Sequence, residues 1–203
     1  FLRFLFSWQH AAPGSQLHGV PGALQIIEQL QGCEISAAAW ESDVLPRRIA
    51  GYTPDLLDQL CLSGEVMWGR LSPHPAFSNE PSDEDSADGP RAGRRVRPTS
   101  VAPVAIFLRE DAAWLLAERS APTEIAAVLS HPARTVADAI GQRGASFLRD
   151  LVKVSGLLTS EVEGALWELA AAGLVTADGF ENLRALIDPK RRNGQGRGRF
   201  LRA

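Results

Sequence analysis

Residues 160–180 read "SEVEGALWELAAAGLVTADGF", and the fold class turns on what this stretch is. Val162, Ala165, Leu166, Leu169 and Ala170 recur at the spacing of one helical face. Gly173 stands where such a helix stops, "LVTA" at 174–177 has strand character, and Asp178-Gly179 marks a turn. Helix, short strand and turn in this order predict the third helix and wing entry of a winged helix-turn-helix. Such a helix normally enters a groove lined with phosphates, yet this one carries Glu161, Glu163 and Glu168 and no base. The face opposite the apolar one holds Gly164, Trp167 and Ala171. Small residues let another backbone approach, and Trp supplies contact area. This face is therefore expected to pack against protein, not to read bases, which would call for Arg, Lys, Asn or Gln. The plainer alternative is a half-exposed Trp167 with no partner.

Upstream, helices are expected at 133–142 and 146–155, with Gly144 and Gly156 between them. Pro122 to Leu129 reads as another helix, "VAPVAIFL" at 101–108 as a strand, and Trp114 as part of a short helix after it. "FENLRALI" at 180–187 suits either the return strand of a wing or one more helical turn. The first 71 residues read as a helical block ending in a strand. Phe1 to His10 is apolar nearly all round, which predicts a buried helix. Helices follow at 22–31 with Gly32 as cap, at 34–45 ended by Pro46, and from Pro54 to Leu62 after Thr53, closed by Gly64. "EVMWGRL" at 65–71 alternates as a strand does. Trp8, Trp40, Trp68 and Trp114 sit in apolar segments and are expected in the core.

Between these blocks, Glu80, Asp83, Glu84, Asp85 and Asp88 precede Arg91, Arg94, Arg95 and Arg97 among Pro, Ser and Gly. Such a stretch buries too little apolar surface to offset its ordering entropy. The expected organisation is a block at 1–71, a linker at 72–98, a winged-helix-containing domain at 99–188 and a basic tail at 189–203. The fold class is α+β, mainly α, with short strands.

The chain has 203 residues, 45% of them hydrophobic, and a net charge of −3. That balance gives no global pull toward nucleic acid, so any polyanion contact needs a local patch. The densest is the tail with Lys190, Arg191, Arg192, Arg197 and Arg199. Arg91–Arg97 follows, then Arg143, Arg149 and Lys153, with Arg47 and Arg48 a fainter fourth. These suit phosphate contact without sequence readout; a solvated face is the bland alternative. No apolar run approaches the about 20 residues of a membrane span. Cys33 and Cys61 are too far apart, and too far from His, for a zinc site, so no metal is expected, and reduced thiols point to the cytoplasm. His10, His18, His74 and His131 are scattered, and His10, before a turn, suits a capping or core-edge role. The start at Phe1 inside a helix-like run suggests a piece of a longer protein.

Six stretches together resemble the C-terminal half of Lhr, the bacterial large helicase-related proteins. They are "FLRFLFSWQHAAPG" (1–14), "LQIIEQLQG" (24–32), "AAWESDVLPRRIAGY" (38–52), "LDQLCLSGEVMWGRLSP" (57–73), "RGASFLRDLV" (143–152) and "EVEGALWELAAAGLVTADGFENLRALI" (161–187). The resemblance implies a superfamily 2 ATP-dependent DNA helicase associated with repair, whose C-terminal half is built from winged-helix units and a small β-barrel. The sequence holds no G-x-x-x-x-G-K-[ST] loop and no D-E-x-H motif; "SDEDSAD" at 82–88 follows no strand. Without a phosphate cradle the chain itself is not expected to hydrolyse ATP, and ATP and Mg are expected only in the parent's motor domains.

The resemblance also extends to a DNA glycosylase family that positions water with a Gln-x-Asp or Gln-x-Gln motif. Gln25 and Glu28, or Gln29 and Gln31 in Gln29-Leu30-Gln31, are the available candidates. Ile27 stands where the acid belongs after Gln25, and Glu28 points about 100° further round a helix. All four are expected to be polar-face residues, and no catalytic residue is assigned. The leading expectation is a non-catalytic accessory module that scaffolds winged helices and touches the DNA backbone. Its partners would be DNA and neighbouring domains of the same parent, with a homo-oligomer and a glycosylase-like site as alternatives.

Overall fold

A computed structural model describes residues 1–72, 74, 102–117 and 128–187. The chain divides into two compact units interleaved along the sequence. The first draws on Phe1–Leu71, Thr99–Ala117 and Thr176–Ala203, the second on Ser72–Pro98 and Glu118–Val175.

The first unit opens with helix α1 (Leu2–Trp8), then strand β1 (Leu17–His18) running into α2 (Gly19–Leu30). Ala23, Ile26, Ile27 and Leu30 form the buried face of α2, as its spacing dictates. Gly22 sits so close to β1 that a Cβ there would lie 2.8 Å from the Leu17 side chain, so only glycine fits. Gly32, at φ +85°, turns the chain out of α2 as its position predicts. Strand β2 (Ile35–Ser36) follows, then α3 (Ala37–Ala39), a π-helical turn (Trp40–Val44) and α4 (Leu45–Arg48) in unbroken succession. Next come β3 (Ile49–Ala50), paired in parallel with β1, and α5 (Pro54–Leu62). Strands β4 (Val66–Gly69) and β5 (Pro103–Leu108) then pair antiparallel, Val66 opposite Leu108 and Gly69 opposite Ala105. β5 also pairs with β2, giving the order β2-β5-β4. Helix, strand, helix, helix and hairpin, with the last strand in the middle of the sheet, make a winged helix. Here α5 holds the recognition position and β4–β5 the wing.

Five expectations change here. Residues 72–98 do not simply join two successive blocks, because the strands before and after them, β4 and β5, pair with each other in the first unit; apart from 72 and 74 they lie outside the described residues. Pro46 does not end the helix that precedes it. In the π turn the Leu45 N–H donates to the Trp40 carbonyl, five residues back, and the widened turn absorbs the donor proline lacks. Glu34 precedes β2 and is not helical. Helix α1 is not buried: Phe1, Leu2, Phe4, Phe6 and Trp8 are all more than half exposed, because a seven-residue helix apolar all round can seat only one side, here that of Leu5. Trp40 and Trp68 are core residues as expected, whereas Trp8 and Trp114 are exposed. Trp114 lies on the single-turn helix α6 (Ala112–Leu115), and its indole N–H donates to Asp111 at 3.0 Å.

The second unit holds α7 (His131–Arg143), α8 (Leu148–Ser155) and α9 (Thr159–Ala171) around Leu129, Ala133, Val136, Leu151, Val162, Ala165 and Leu169. Gly156, left-handed at φ 66° and ψ 9°, caps α8 and turns the chain into α9. This is a helix-turn-helix with α9 in second place. The strand expected at 174–177 does not form; Leu174 and Val175 pack on the helices instead. From Thr176 the chain belongs to the first unit, where the Thr176 hydroxyl donates to the Trp68 carbonyl, so no hairpin can close after α9. Residues 180–187 are not a return strand; they include helix α10 (Glu181–Ile187) of the first unit. The winged helix with a formed wing is therefore built by residues 19–108. Most of the helix expected at 122–129 lies outside the described residues.

Candidate nucleic-acid interface

Recognition-position helices read DNA only with donors aimed outward. On α9 two of the three acids are committed to structural hydrogen bonds, one of them inside the unit. Glu168, buried, accepts the Ser130 N–H and the Ser130 hydroxyl, each at 2.7 Å, while the Ser130 oxygen accepts the Ala133 N–H at 3.3 Å. It therefore holds the N-terminal cap of α7 from the neighbouring helix. Glu161 accepts the Leu158 N–H at 2.9 Å and closes the first turn of α9 itself. Glu163 alone is exposed. The acids that make α9 look unlike a DNA reader are the pieces that fasten it into its own unit.

The first unit follows the same rule. Asp58 of α5 and Glu41 of the π turn both grip Arg184 of α10. Arg184 Nε donates to Glu41 at 2.6 Å, and Nη1 donates to Asp58 at 3.1 Å. The Arg184 side chain is 9% exposed, that of Glu41 16% and that of Asp58 25%, so the arginine is shielded while Asp58 keeps part of its water. Its guanidinium lies 5.8 Å over the Phe180 ring, which meets Trp68 edge-on at 6.2 Å. The Trp68 indole donates to the Gly179 carbonyl at 3.2 Å. Tyr52 donates to Glu41 at 2.9 Å, and burial, then the Glu41 charge, push its phenol well above the usual range. Burial and nearby Asp58 raise the Cys61 thiol to about 11. The exposed residues of α5 are Pro54, Asp55, Gln59 and Leu62, with no base among them.

Arg184, which stands just before the basic tail in sequence, thus has an internal role. Of the candidate bases, Arg143 at the end of α7 and Arg149 and Lys153, which share one face of α8 at i and i+4, are exposed, as is Arg47; Arg3, Arg109 and Arg134 are exposed as well. Lys190, Arg191, Arg192, Arg197 and Arg199 lie outside the described residues, as do Arg91 to Arg97. Of the protein-packing candidates, Gly164 and Trp167 are half-buried, but Ala171, the last residue of α9, is fully buried in the core of the second unit.

The glycosylase candidates do not converge. Gln25 and Glu28 are exposed on α2. The Gln29 amide donates to the Trp8 carbonyl at 3.0 Å, and its own carbonyl oxygen is buried without a donor. The Gln31 amide donates to Asp111 at 2.9 Å and accepts the Leu108 N–H at 3.3 Å, which ties α2 to β5. Among the described residues no group of three or more His, Cys, Asp or Glu could hold a metal, and no helix is long and apolar enough to cross a membrane. His10, at φ 55°, ends α1, and its Nδ1 lies 2.9 Å from the Ser15 carbonyl.

The geometry defines a winged-helix protein with a second, helix-turn-helix unit. Residues 1–82 match the family described as the large helicase-related protein winged-helix domain. The chain is 35% identical over 196 residues to the "Lhr helicase/ probable uracil glycosylase" of Mycolicibacterium smegmatis (strain ATCC 700084 / mc(2)155), covering 96% of the chain and 11% of that protein. It is 32% identical over 176 residues to the "Lhr helicase/uracil glycosylase" of Escherichia coli (strain K12), covering 83% of the chain and 10% of that protein. The chain belongs to the Lhr family and corresponds to part of its C-terminal region. It spans about a tenth of the length of these relatives.

Proposed function

We propose that the chain is a non-catalytic accessory module of an Lhr-type DNA helicase that holds the DNA backbone without reading sequence. One observation carries this: in both units the helix at the recognition position has no outward base and uses its carboxylates to fasten the fold. The contact surface is then the edge made by Arg143, Arg149 and Lys153, with Lys190, Arg191, Arg192, Arg197 and Arg199 adding phosphate contacts. Neutralising Arg149 and Lys153 together should weaken binding to duplexes of unrelated sequence equally. It should also reduce the slope of log affinity against log salt by about two. Sequence-dependent loss, or none, would contradict the reading. The exposed apolar residues Phe1, Leu2, Phe4 and Phe6 of α1 and the half-buried Trp167 are surfaces offered to neighbouring domains of the parent.

A second reading is favoured by the names of the two relatives, both of which include uracil glycosylase. On that reading this region contributes to a base-excision site, and Gln29, with its unpartnered carbonyl, is the residue to test. Uracil release by the isolated chain, lost in Gln29→Ala, would support it; no release would favour the accessory role.

A further inference from the structure

Arg48 closes α4 and is half-buried, yet no carboxylate is paired with it among the described residues. Its Nη1 donates to the Val44 carbonyl at 3.1 Å, and its Nη2 reaches only the neutral Gln9 Oε1, at 3.5 Å. Its Nε is buried with no acceptor. A charge that acts on it is of the same sign: that of Arg47, whose own pairing with Asp43 is largely exposed. Burial first, and then Arg47, pull the Arg48 pKa below its ordinary value. A partly desolvated guanidinium without a counter-charge is costly unless an anion completes it.

The surroundings are rigid and polar. The Gln16 amide donates to the Pro46 and Arg47 carbonyls at 3.3 and 3.0 Å, which fixes the end of α4. Gln29 holds the Trp8 carbonyl from α2 at 3.0 Å, which fixes the end of α1 beside Gln9. Trp8, the residue before Gln9 in the chain, is itself 56% exposed and offers a flat apolar face to solvent. Helix α1 carries no acid, so nothing on it repels a phosphate.

We infer that Arg48, with Gln9 and the exposed ring of Trp8, forms a seat for a nucleic-acid phosphate on the winged helix, separate from the basic edge of the second unit. The guanidinium supplies the charge, the Gln9 amide a donor, and Trp8 a surface for an adjoining sugar or base. The chemistry is that of a phosphate ester, and only the identity of its donor rests on the DNA reading above.

The test uses the full chain and follows the Arg48 Nε–H resonance. It is titrated with inorganic phosphate, with a single-stranded oligothymidylate, and with the same oligomer as a duplex. Arg48→Gln and Gln9→Ala are compared in parallel by anisotropy, each first checked for an unchanged melting profile. The inference predicts a saturable shift of the Arg48 resonance with the single strand that persists in Arg149→Gln, and a loss of affinity of about fivefold or more in Arg48→Gln. A shift with inorganic phosphate as well assigns the seat to the phosphate alone; a shift with the oligomer alone assigns it to phosphate and base together. If the resonance stays still with all three ligands, or Gln9→Ala binds as wild type while folded Arg48→Gln does too, the seat does not exist. If Arg149→Gln loses binding while the Arg48 resonance still shifts, the seat survives and the basic edge is a separate contact.

Discussion

At the scale of single residues, the acids of this chain are spent on structure. Glu168 satisfies two donors of Ser130, so Glu168→Ala leaves a buried N–H and hydroxyl without partners. The expected cost is about 2–3 kcal/mol, read as a lower denaturation midpoint with an unchanged slope. Arg184 is the counterpart in the first unit. Arg184→Ala leaves Glu41 and Asp58 facing each other in a mostly buried site, at a cost of about 2–4 kcal/mol, below that of a fully buried pair because Asp58 keeps some water; a change within about 0.5 kcal/mol by the same melt would show the triad is idle. Cys61 gives a pH signature. Its pKa rises from 9.0 to about 11 on folding. The unfolded chain therefore loses its proton first, and this contribution to stability is whole below pH about 9 and declines up to about 11. Cys61→Ala should flatten that part of the alkaline profile; an unchanged profile would place the titration elsewhere. None of these partnerships was visible in sequence, because Glu168 and Ser130, or Arg184 and Glu41, are joined only by folding.

At the scale of elements, apolar spacing and punctuation located most helices. Thr53-Pro54, Gly32, Gly64 and Gly156 stand at the boundaries where their chemistry places them. What spacing missed was pairing. The strand at 101–108 was legible, but not that it returns to 65–71 across an acidic and basic excursion, because no local signal marks two strands about thirty residues apart as one hairpin. The wing was therefore expected after α9, where "LVTA" has strand character but no partner strand. Helix α1 was misjudged for the opposite reason: apolar on every side, it reads as buried, whereas burial depends on what surrounds it. Replacing residues 75–98 by a short turn should preserve the β4–β5 register, since the pairing of Val66 with Leu108 does not depend on them. The check is retained melting cooperativity of the shortened chain; loss of folding would make the excursion part of the fold.

At the scale of the whole molecule, a net charge of −3 hides a division of labour. Carboxylates hold the recognition-position helices in place, and the proposed function assigns phosphate contact to exposed bases elsewhere, Arg143, Arg149 and Lys153 among them. The site residues were legible only as charge clusters; which bases face outward, and that Arg184 does not, required the fold. The most direct test is the salt dependence of DNA binding by the full chain and by a variant carrying Arg143→Gln, Arg149→Gln and Lys153→Gln, measured by anisotropy on duplexes of different sequence. The account predicts weaker binding in the variant, a slope smaller by about two to three, and no change in the ranking of sequences. Unchanged affinity in that variant, together with loss of binding in Gln59→Ala on the exposed side of α5, would contradict it and return the role of reader to the recognition helix.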